Sequence, residues 1–314
     1  MARKRLKKDC GLFPYIKEEV YGSFESGQSI PWSLSKFKVD ETWEVSDGTG
    51  VTVAVIDSGC DLDHEDLKSN FVQGKNFVES GKDPYDDNSH GTHVAGTICA
   101  KNNSMGVVGV APNTKIMPVK VFGADGRGNN NTVSQAIVWA ADHGADLICM
   151  SLGSPYKSED LERAINYALS KGAVSFCAAG NGGEQSDIYY PAKYEQTVST
   201  GAVDERLMRA YFTCKGIELD FLAPGQNILS TVPHNRYALM SGTSMANPFM
   251  VGCASLLLSY KKKNNLDLSL KTADDYINVM KKYTINLLNP NHSDKSYSGN
   301  GLIDPTKFNG WRNL

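Results

Sequence analysis

Short β-branched runs alternate with helical segments between residues 51 and 178, and this order limits the fold more than any other feature of the chain. The expected elements, in chain order, are strands near 51–57, 115–121, 145–150 and 173–178 and helices near 90–100, 131–143 and 158–171. Short strands near 196–201 and 217–222 and helices near 244–260 and 270–283 follow. Alternation of this kind predicts a three-layer α/β fold with a mostly parallel, twisted sheet and helices on both faces.

Length and composition favour a soluble single-domain enzyme. With 314 residues, of which 41% are hydrophobic, the chain can bury a large core. The net charge of −3 gives no argument for a nucleic acid or a membrane as a partner. The one charge run, at residues 3–8, is expected to be a solvated terminus, and no apolar stretch is long enough to span a bilayer.

Three polar residues fall where predicted strands end or predicted helices begin. Asp57 is the first polar residue after the buried strand, at the sheet edge where α/β proteins place their chemistry. His90 and Ser244 each open a predicted helix, whose unpaired N–H groups stabilise a nearby oxyanion. A serine needs a base and a base-orienting carboxylate to become a nucleophile, and the chain order Asp, His, Ser is one of the known orders of such a triad.

Each of these residues also has a structural interpretation. An aspartate after a strand is commonly a turn former, and Gly-Thr-Ser-Met-Ala at 242–246 is a plausible helix cap. His90 and His93 could form a zinc pair, although the third ligand and the general-base glutamate of metalloprotease motifs are absent. The three motifs occurring together, in order, favour catalysis over these alternatives.

The motifs resemble those of the subtilisin-like serine proteases. Asp57 lies in the aspartate motif, His90 in a His-Gly-Thr-His motif and Ser244 in the Gly-Thr-Ser-Met-Ala motif. Further similar segments occur at 119–126, 151–153, 178–182, 190–194 and 222–225, so the resemblance covers roughly residues 28–305. It implies the subtilisin-like fold, and a cis peptide bond before Pro191.

The resemblance also assigns roles within the site. It implies that Ser244 attacks the scissile carbonyl, that His90 takes and returns the proton, and that Asp57 fixes the imidazole tautomer. The side-chain amide of Asn181 would join the Ser244 N–H as the oxyanion hole. The alternative for Asn181 is a turn residue between two glycines.

Substrate binding is expected to use exposed backbone, because backbone is what all peptides share. By resemblance, an extended peptide would lie as an added strand between two segments, namely Gly126, Arg127 and Gly128 on one side and Ser151, Leu152 and Gly153 on the other. The pocket for the residue before the scissile bond would be lined by Ser151 to Ser154 and by Ala179 and Gly180, with Tyr189 at its floor. Phe122, Asn130 and Val133 would shape more distant subsites. Glu184 and Asp187 leave open a preference for basic residues.

A calcium site is expected in the loop 101–107, which resembles the family's calcium loop interrupting a helix. The implied ligands are the side chains of Gln28, Asp66 and Asn103 and the carbonyls of Lys101, Met105 and Val107. The alternative is an ordinary polar surface loop. A weaker cation site is conceivable near Ala192, Tyr194 and Asp204.

The cysteines and the start of the chain point to the cytoplasm. Four of the seven cysteines, Cys99, Cys149, Cys177 and Cys253, lie in apolar segments and are expected to be buried thiols, as suits a reducing compartment. Residues 9–19 show neither the apolar stretch nor the cleavage site of a signal peptide. Cys60 could make the enzyme sensitive to thiol reagents, with a buried inert thiol as the alternative.

Residues 1–27 are expected to be an N-terminal extension, and residues 28–314 the catalytic domain. The segment 11–16 is similar to the short inhibitory segment of intracellular subtilisins, in which the extension lies across the active site until it is cut away. Phe13, Pro14 and Tyr15 would then bind like substrate yet resist attack, because proline has no N–H and a fixed φ. The alternative is a terminal strand or a disordered arm.

The predicted function is therefore a calcium-binding, cytoplasmic serine endopeptidase of broad specificity, inhibited by its own extension. Alternatives are a leader peptidase or macrocyclase on the same scaffold, and a noncatalytic peptide-binding pseudoprotease. The Gly-x-Ser-x-Gly motif of esterases is not found around Ser244. Phe249 replaces a helix histidine of the family outside the triad, which alters packing but not the nucleophile. The oligomeric state is left open, a homodimer included.

Overall fold

A nine-stranded sheet forms the centre of the computed structural model, which describes residues 9–21, 27–287 and 294–313. The strands are β1 Asp9–Leu12, β2 Ile16–Tyr21, β3 Thr52–Asp57, β4 Lys75–Asn76, β5 Lys115–Lys120, β6 Arg127–Asn129, β7 Leu147–Met150, β8 Leu152–Gly153, β9 Val174–Ala178, β10 Thr197–Val203, β11 Phe221–Pro224, β12 Ile228–Val232, β13 Arg236–Ser241, β14 Thr284–Ile285 and β15 Leu302–Ile303. The strand order of the nine-stranded sheet is β14-β15-β11-β10-β9-β7-β3-β5-β4, and every neighbouring pair is parallel except β14 with β15.

Two pairs of helices cover the sheet, so the predicted three-layer α/β fold is confirmed. The pair α3 and α6 and the pair α4 and α5 each pack together and against the central strands. The helices are α1 Trp32–Lys36, α2 Val39–Thr42, α3 His90–Cys99, α4 Asn130–Asp142, α5 Glu159–Ser170, α6 Thr243–Asn264, α7 Ala273–Met280 and α8 Lys295–Ser298. Because helices cover the central strands, the side chains of β5, β7 and β9 are almost entirely buried.

Three elements have a boundary that differs by three residues or more from the sequence-based expectation. The strand expected near 217–222 begins only at Phe221, because a turn closed by the hydrogen bond from Leu219 N to Gly216 O comes first. The helix expected near 270–283 is α7, which starts behind a capping box at Thr272 and gives way after Met280 to a 3₁₀ turn. Helix α6 continues to Asn264, four residues beyond the expected end.

The hairpin of β12 and β13 was not predicted from the sequence. Its turn places His234 and Asn235 at φ values of 69° and 55°, the left-handed pair typical of a tight hairpin. Asn235 was the available signal, but the turn pairs it with a histidine and contains no glycine, so the signal was weak.

Residues of the N-terminal extension supply two of the strands. β1 is the middle strand of a small sheet, antiparallel to both β6 and β8. β2 is antiparallel to β13 at the edge of a second small sheet. The charge run at residues 3–8 and residues 22–26 of the extension lie outside the described residues.

Other expectations concern the backbone, the core and membranes. The Tyr190–Pro191 peptide bond is cis, as expected. Phe249 is fully buried and lies with its ring centre 6.0 Å from that of Phe37, so it serves as a core residue. No helix within the described ranges combines the length and apolar character needed to cross a membrane.

Candidate active site

Asp57 and His90 form a buried, hydrogen-bonded pair. Asp57 ends the central strand β3, and His90 is the first residue of α3. The Nδ1 atom of His90 lies 2.9 Å from each carboxylate oxygen of Asp57, and both side chains are excluded from solvent. With Nδ1 bonded to the carboxylate, Nε2 is directed away from Asp57 as the nitrogen that can exchange a proton, which is the arrangement of a base and its orienting carboxylate.

The loop before His90 is held in place by Asp86, a residue that sequence analysis did not assign. One oxygen of its carboxylate accepts hydrogen bonds from Ser58 Oγ and from the backbone N–H of Asn88 and Ser89, at 2.8–3.0 Å. The other oxygen accepts from the N–H and the hydroxyl of Thr92 at 2.9 and 2.6 Å. The side chain of an aspartate often accepts from the N–H groups two and three residues further on, as Asp86 does here from Asn88 and Ser89. This Asx-turn pattern could have identified the role of Asp86 from the sequence.

Helix α3 approaches the Asp57 turn so closely that only glycine fits at position 91. A Cβ atom there would lie 2.1 Å from the Gly59 carbonyl oxygen and 3.2 Å from Asp57 Cβ. The Gly91 N–H also donates to Ser58 Oγ at 3.0 Å. The glycine after His90 therefore sets the distance between the base and the carboxylate.

Lys120 is a second residue that sequence analysis missed. Its side chain is only 2% exposed, and its Nζ donates to the Ser58 carbonyl and to Asp87 Oδ1, both at 2.6 Å. The sequence gives no signal for these contacts, because the partners of this strand lysine lie in two other loops. Lys120 therefore connects the end of β5 to the turns on both sides of the Asp57–His90 pair.

His93 has a structural role, which argues against the alternative of a zinc pair. Its Nε2 lies 2.9 Å from the Ile228 carbonyl and 3.1 Å from the Ala238 carbonyl, so the ring fastens α3 to the β12–β13 hairpin. Burial lowers the pKa of His93 to about 3. The imidazole is therefore neutral at physiological pH and serves as a donor to backbone, while His90 faces Asp57 instead.

Ser244 lies at the start of α6 and is fully buried. Its hydroxyl donates to the Ser151 carbonyl at 3.2 Å, and Ser151 Oγ donates to the Ser244 carbonyl at 2.9 Å. Among the described residues, His90 Nε2 has no hydrogen-bond partner. The serine and the base are thus both present but are not hydrogen-bonded to each other in this arrangement, because the Ser244 hydroxyl donates to the Ser151 carbonyl instead.

Asn181 is fixed with its donor end pointing toward the cleft. Its Oδ1 accepts from the N–H and the hydroxyl of Thr243, at 2.9 and 2.7 Å. Its Nδ2 therefore faces outward, where it donates to the carbonyl of Pro14 at 2.9 Å. An amide donor held beside the start of α6 is the arrangement needed to stabilise an oxyanion.

The two predicted clamp segments hold an extended strand between them, and that strand is β1 of the chain itself. Gly11 is paired with both Arg127 and Gly153. The Leu12 N–H donates to the Gly126 carbonyl at 3.0 Å. Strand addition between two edges is a general way to bind polypeptide with little regard to side chains.

Phe13 fills the predicted specificity pocket. It is 4% exposed, and its ring meets that of Tyr189 edge-on with 5.5 Å between centroids. A Cβ atom on Gly153 would lie 2.4 Å from the Phe13 ring, and one on Gly180 would lie 3.2 Å from Tyr189. The pocket walls are therefore glycine backbone and one tyrosine ring. Ser154 closes the rim through two backbone hydrogen bonds with Tyr190.

The acidic residues near the pocket are engaged elsewhere. Glu184 lies 4.0 Å from Arg209, and Asp187 lies 3.2 Å from Lys193. This pairing weakens the argument for a basic preference. Phe122 is fully buried beneath Gly128, so it supports the clamp from below.

Five of the six expected calcium-site residues converge. Gln28 Nε2 lies 2.6 Å from the Lys101 carbonyl, 3.0 Å from the Val107 carbonyl and 3.4 Å from Asn103 Oδ1. The Asp66 carboxylate accepts from Asn103 Nδ2 and from the Val107 N–H, at 3.1 and 2.9 Å. Met105 lies in the same loop and contributes a hydrogen bond from its N–H to Asn103 Oδ1. Within the described residues, no group of three or more histidine, cysteine or acidic side chains could hold a metal.

The loop 101–108 follows the end of α3, yet the hydrogen bonding of the helix resumes beyond it. The N–H groups of Val110 and Ala111 donate to the carbonyls of Thr97 and Ile98 at 3.1 and 2.8 Å. The loop therefore interrupts the helical hydrogen bonding near the end of α3, as expected. The weaker cation site gains no support, since Asp204 Oδ1 instead caps its own turn through Arg206 and Met208.

Comparison with known proteins agrees with the fold and identifies the family. The Peptidase_S8 model, described as the subtilase family, matches residues 48–301. Subtilisin E of Bacillus subtilis (strain 168) is 44% identical over 263 residues, which cover 82% of this chain and 68% of subtilisin E.

Two other relatives show a similar identity over different shares of their length. Subtilisin BL of Lederbergia lenta is 45% identical over 76% of this chain and 86% of its own length. The thermophilic serine proteinase of Bacillus sp. (strain AK1) is 45% identical over 73% of this chain, but the match spans only 57% of that protein. The chain belongs to the subtilase family, the subtilisin-like serine endopeptidases.

Proposed function

We propose that this chain is a serine endopeptidase that hydrolyses peptide bonds through Asp57, His90 and Ser244. The observation that carries the proposal is the bound segment: residues 9–12 lie as a strand in the cleft, and the Pro14 carbonyl that follows accepts from Asn181 Nδ2 at 2.9 Å. The cleft therefore holds polypeptide backbone with a carbonyl at the amide donor.

The reaction follows from these positions. With substrate bound, the Ser244 hydroxyl turns from the Ser151 carbonyl to His90 Nε2, which takes its proton as the oxygen attacks the scissile carbon. Asn181 stabilises the resulting oxyanion, and such a donor contributes about 10²–10³ in rate. His90 then protonates the leaving amine, and a water molecule deprotonated by His90 hydrolyses the acyl-enzyme. Asp57 holds the imidazole throughout.

A pseudoprotease is the weaker alternative because every group the reaction needs is present in a suitable position. Acyl transfer to an amine, as in a leader peptidase or macrocyclase, uses the same groups and differs only in what accepts the acyl chain. We favour hydrolysis of many protein sequences, since the clamp holds the strand through backbone pairing and glycine walls.

Residue preference and product identity can be tested together with a mixed peptide library. We expect cleavage mainly after large apolar or aromatic residues, because Phe13 packs on Tyr189 in a pocket whose nearby acids are already paired. Mass spectrometry would report the cleaved bonds and whether products carry free carboxyl ends. Cleavage chiefly after Lys or Arg would contradict the pocket assignment, and cyclic or amine-joined products would favour the transferase alternative.

We further propose that the extension inhibits the enzyme by binding in a shifted frame. In productive binding, the residue in the specificity pocket also presents its carbonyl to the oxyanion donors. Here Phe13 fills the pocket, whereas the carbonyl at Asn181 belongs to the next residue, Pro14. The bond to be cut is therefore displaced from its usual place relative to Ser244.

Tyr15 adds a second obstacle. Its ring lies over His90 with 5.0 Å between centroids, and its hydroxyl donates to Asn88 Oδ1 at 3.1 Å. Burial, and then the charges of Asp57 and Asp86, raise the pKa of Tyr15 to about 12, so the phenol keeps its proton for this hydrogen bond. Strand β2 fastens the following residues to β13. The segment is thus held on both sides of Pro14.

We propose a calcium ion at the loop 101–107. The donor set fits: two carbonyls and an amide oxygen surround the end of the Gln28 side chain, and a half-turn of that amide would offer a further oxygen. Gly106 is required here, because a Cβ atom would lie 2.1 Å from Asp66 Oδ2. Bound calcium would tie residue 28 to the end of α3 and so stabilise the fold.

Removing calcium should lower the melting temperature by about 5–10 °C, the size expected for a site filled well above its dissociation constant. The measurement is thermal unfolding of the Ser244→Ala protein, which cannot digest itself, in calcium and in chelator. Gln28→Ala should shrink the difference. An equal melting temperature in both solutions would sink the calcium proposal.

The expected cellular location is also a proposal. All seven cysteines are free and buried, and burial raises the pKa of Cys60 well above its usual value, so this thiol is inert. Buried thiols of this kind are compatible with the reducing cytoplasm that we propose for this enzyme.

A further inference from the structure

A second groove lies between helices α4 and α5, away from the catalytic residues. Its volume is about 560 Å³. Its apolar lining consists of Phe77, Val138, Trp139, Ala164 and Tyr167. We call it the α4–α5 groove.

Several of the charged and polar side chains around the α4–α5 groove already have partners within it. Lys75 Nζ lies 4.9 Å from the centre of the Phe77 ring and 5.6 Å from that of Trp139. Tyr167 donates to Asp142 at 2.7 Å, and Arg163 pairs with Asp160. The α4–α5 groove therefore presents mainly apolar and aromatic surface to a ligand.

The α4–α5 groove is continuous with the substrate cleft. Asn131 and Asp160, near the starts of α4 and α5, line both the groove and the cavity around β1. Asp9, the first residue of β1, is paired with Asn129, which caps α4. If a substrate binds in the place of β1, the residues upstream of the bound segment therefore lie beside the starts of α4 and α5.

The cleft also shows an unmet polar requirement at this junction. The Asn130 side chain is 5% exposed, yet neither atom of its amide has a partner among the described residues. It lines the cavity around β1 next to Asn131. A peptide that continues upstream past this point would bring backbone groups to pair with this amide.

The distance between Asn131 and Trp139 along α4 determines which substrate residue can reach the α4–α5 groove. At a rise of about 1.5 Å per residue, Asn131 and Trp139 lie about 12 Å apart along α4. An extended chain covers that distance in about three to four residues at about 3.3 Å each. Counted from Phe13 in the pocket back through Asp9, this corresponds to about seven or eight residues before the pocket residue.

We propose that the α4–α5 groove is a distal substrate site, which binds an apolar side chain of the polypeptide about seven or eight residues before the residue in the specificity pocket. The proposal rests on the peptidase function proposed above. It predicts that the enzyme favours long, unfolded polypeptide over short peptides.

The test uses the full chain carrying Phe13→Asp, a substitution expected to release the extension from the cleft, and three substrates with the same cleaved bond. One has four residues before that bond, one has ten with leucine at the two distal positions, and one has ten with serine there. We expect kcat/KM to be about tenfold higher for the leucine substrate than for the other two, as suits partial burial of one large apolar side chain. Adding Trp139→Ala or Tyr167→Ala should remove that advantage while leaving the short substrate within about twofold.

The matched control is Tyr211→Ala, since Tyr211 is 72% exposed and lies outside the α4–α5 groove. Equal kcat/KM for the three substrates, or an advantage that survives both groove substitutions, would overturn the proposal. If Trp139→Ala fails to fold, the result for Tyr167→Ala decides, because Tyr167 is the more exposed residue.

If no substrate is cleaved, the peptidase function fails instead. The groove is then tested by anisotropy of labelled peptides on the Phe13→Asp, Ser244→Ala protein, where equal affinity of the leucine and serine peptides would overturn it.

Discussion

Replacing Ser244 with alanine is expected to remove almost all peptidase activity, with a loss in kcat of about 10⁶. That magnitude is the one known for the catalytic serine of subtilisin, and we expect a loss of the same order in this chain. The physical reason is that alanine has no hydroxyl to attack a carbonyl held at Asn181 Nδ2. KM should change little, because the clamp is built from β6 and β8.

The control for this substitution lies on the same helix. Ser255 is also buried, and its hydroxyl donates to the Val251 carbonyl at 2.9 Å, away from the cleft. Ser255→Ala makes the same chemical change without touching the site and should keep activity within about twofold. Both variants are to be compared in the Phe13→Asp background, so that the extension does not mask activity. Equal activity of the Ser244→Ala protein and its parent would refute the mechanism.

Removing the extension is expected to raise activity on a small peptide substrate at least about tenfold. A tethered segment acts at an effective concentration in the millimolar range, well above that of a typical substrate. Deletion of residues 1 to about 25 removes the Phe13 ring from the pocket, the Pro14 carbonyl from Asn181 and the Tyr15 ring from His90. The measurement is the initial rate of peptide hydrolysis by the deleted and the full chain.

A single substitution tests whether freeing the cleft is enough to raise activity when the rest of the extension is still present. Phe13→Asp places a charge in a pocket built from glycine backbone and the Tyr189 ring, so it should release the segment and raise activity in the same direction as the deletion. Ile16→Asp introduces the same charge at a side chain that is 44% exposed and should have a much smaller effect. Unchanged or lost activity after deletion would count against inhibition by the extension.

The elements of the fold could be predicted from the sequence because their signals are local. Asp57, His90 and Ser244 each follow a strand or open a helix, and such ends are marked by glycines and polar residues within a few positions. The parallel sheet followed from the alternation of strands and helices. The β12–β13 hairpin was missed because its turn lacks the usual glycine.

The parts that could not be predicted depend on contacts between distant segments. Lys120 looks like any other residue of its strand until the turns carrying Ser58 and Asp87 close around it. The shifted frame of the extension requires knowing that Phe13 reaches Tyr189 while Pro14 reaches Asn181, two contacts that span more than 160 positions. The α4–α5 groove likewise exists only when two helices of separate strand–helix units lie side by side.

The rate at which an aryl sulfonyl fluoride labels Ser244, followed by intact mass and peptide mapping, tests both the nucleophile and its inhibition by the extension. We expect one adduct per chain, located on Ser244, that forms at least about tenfold faster in the Phe13→Asp protein than in the unmodified chain. Absence of an adduct on Ser244 in the folded Phe13→Asp protein, or equal labelling rates in the two proteins, would contradict a Ser244 nucleophile held idle by residues 13–15.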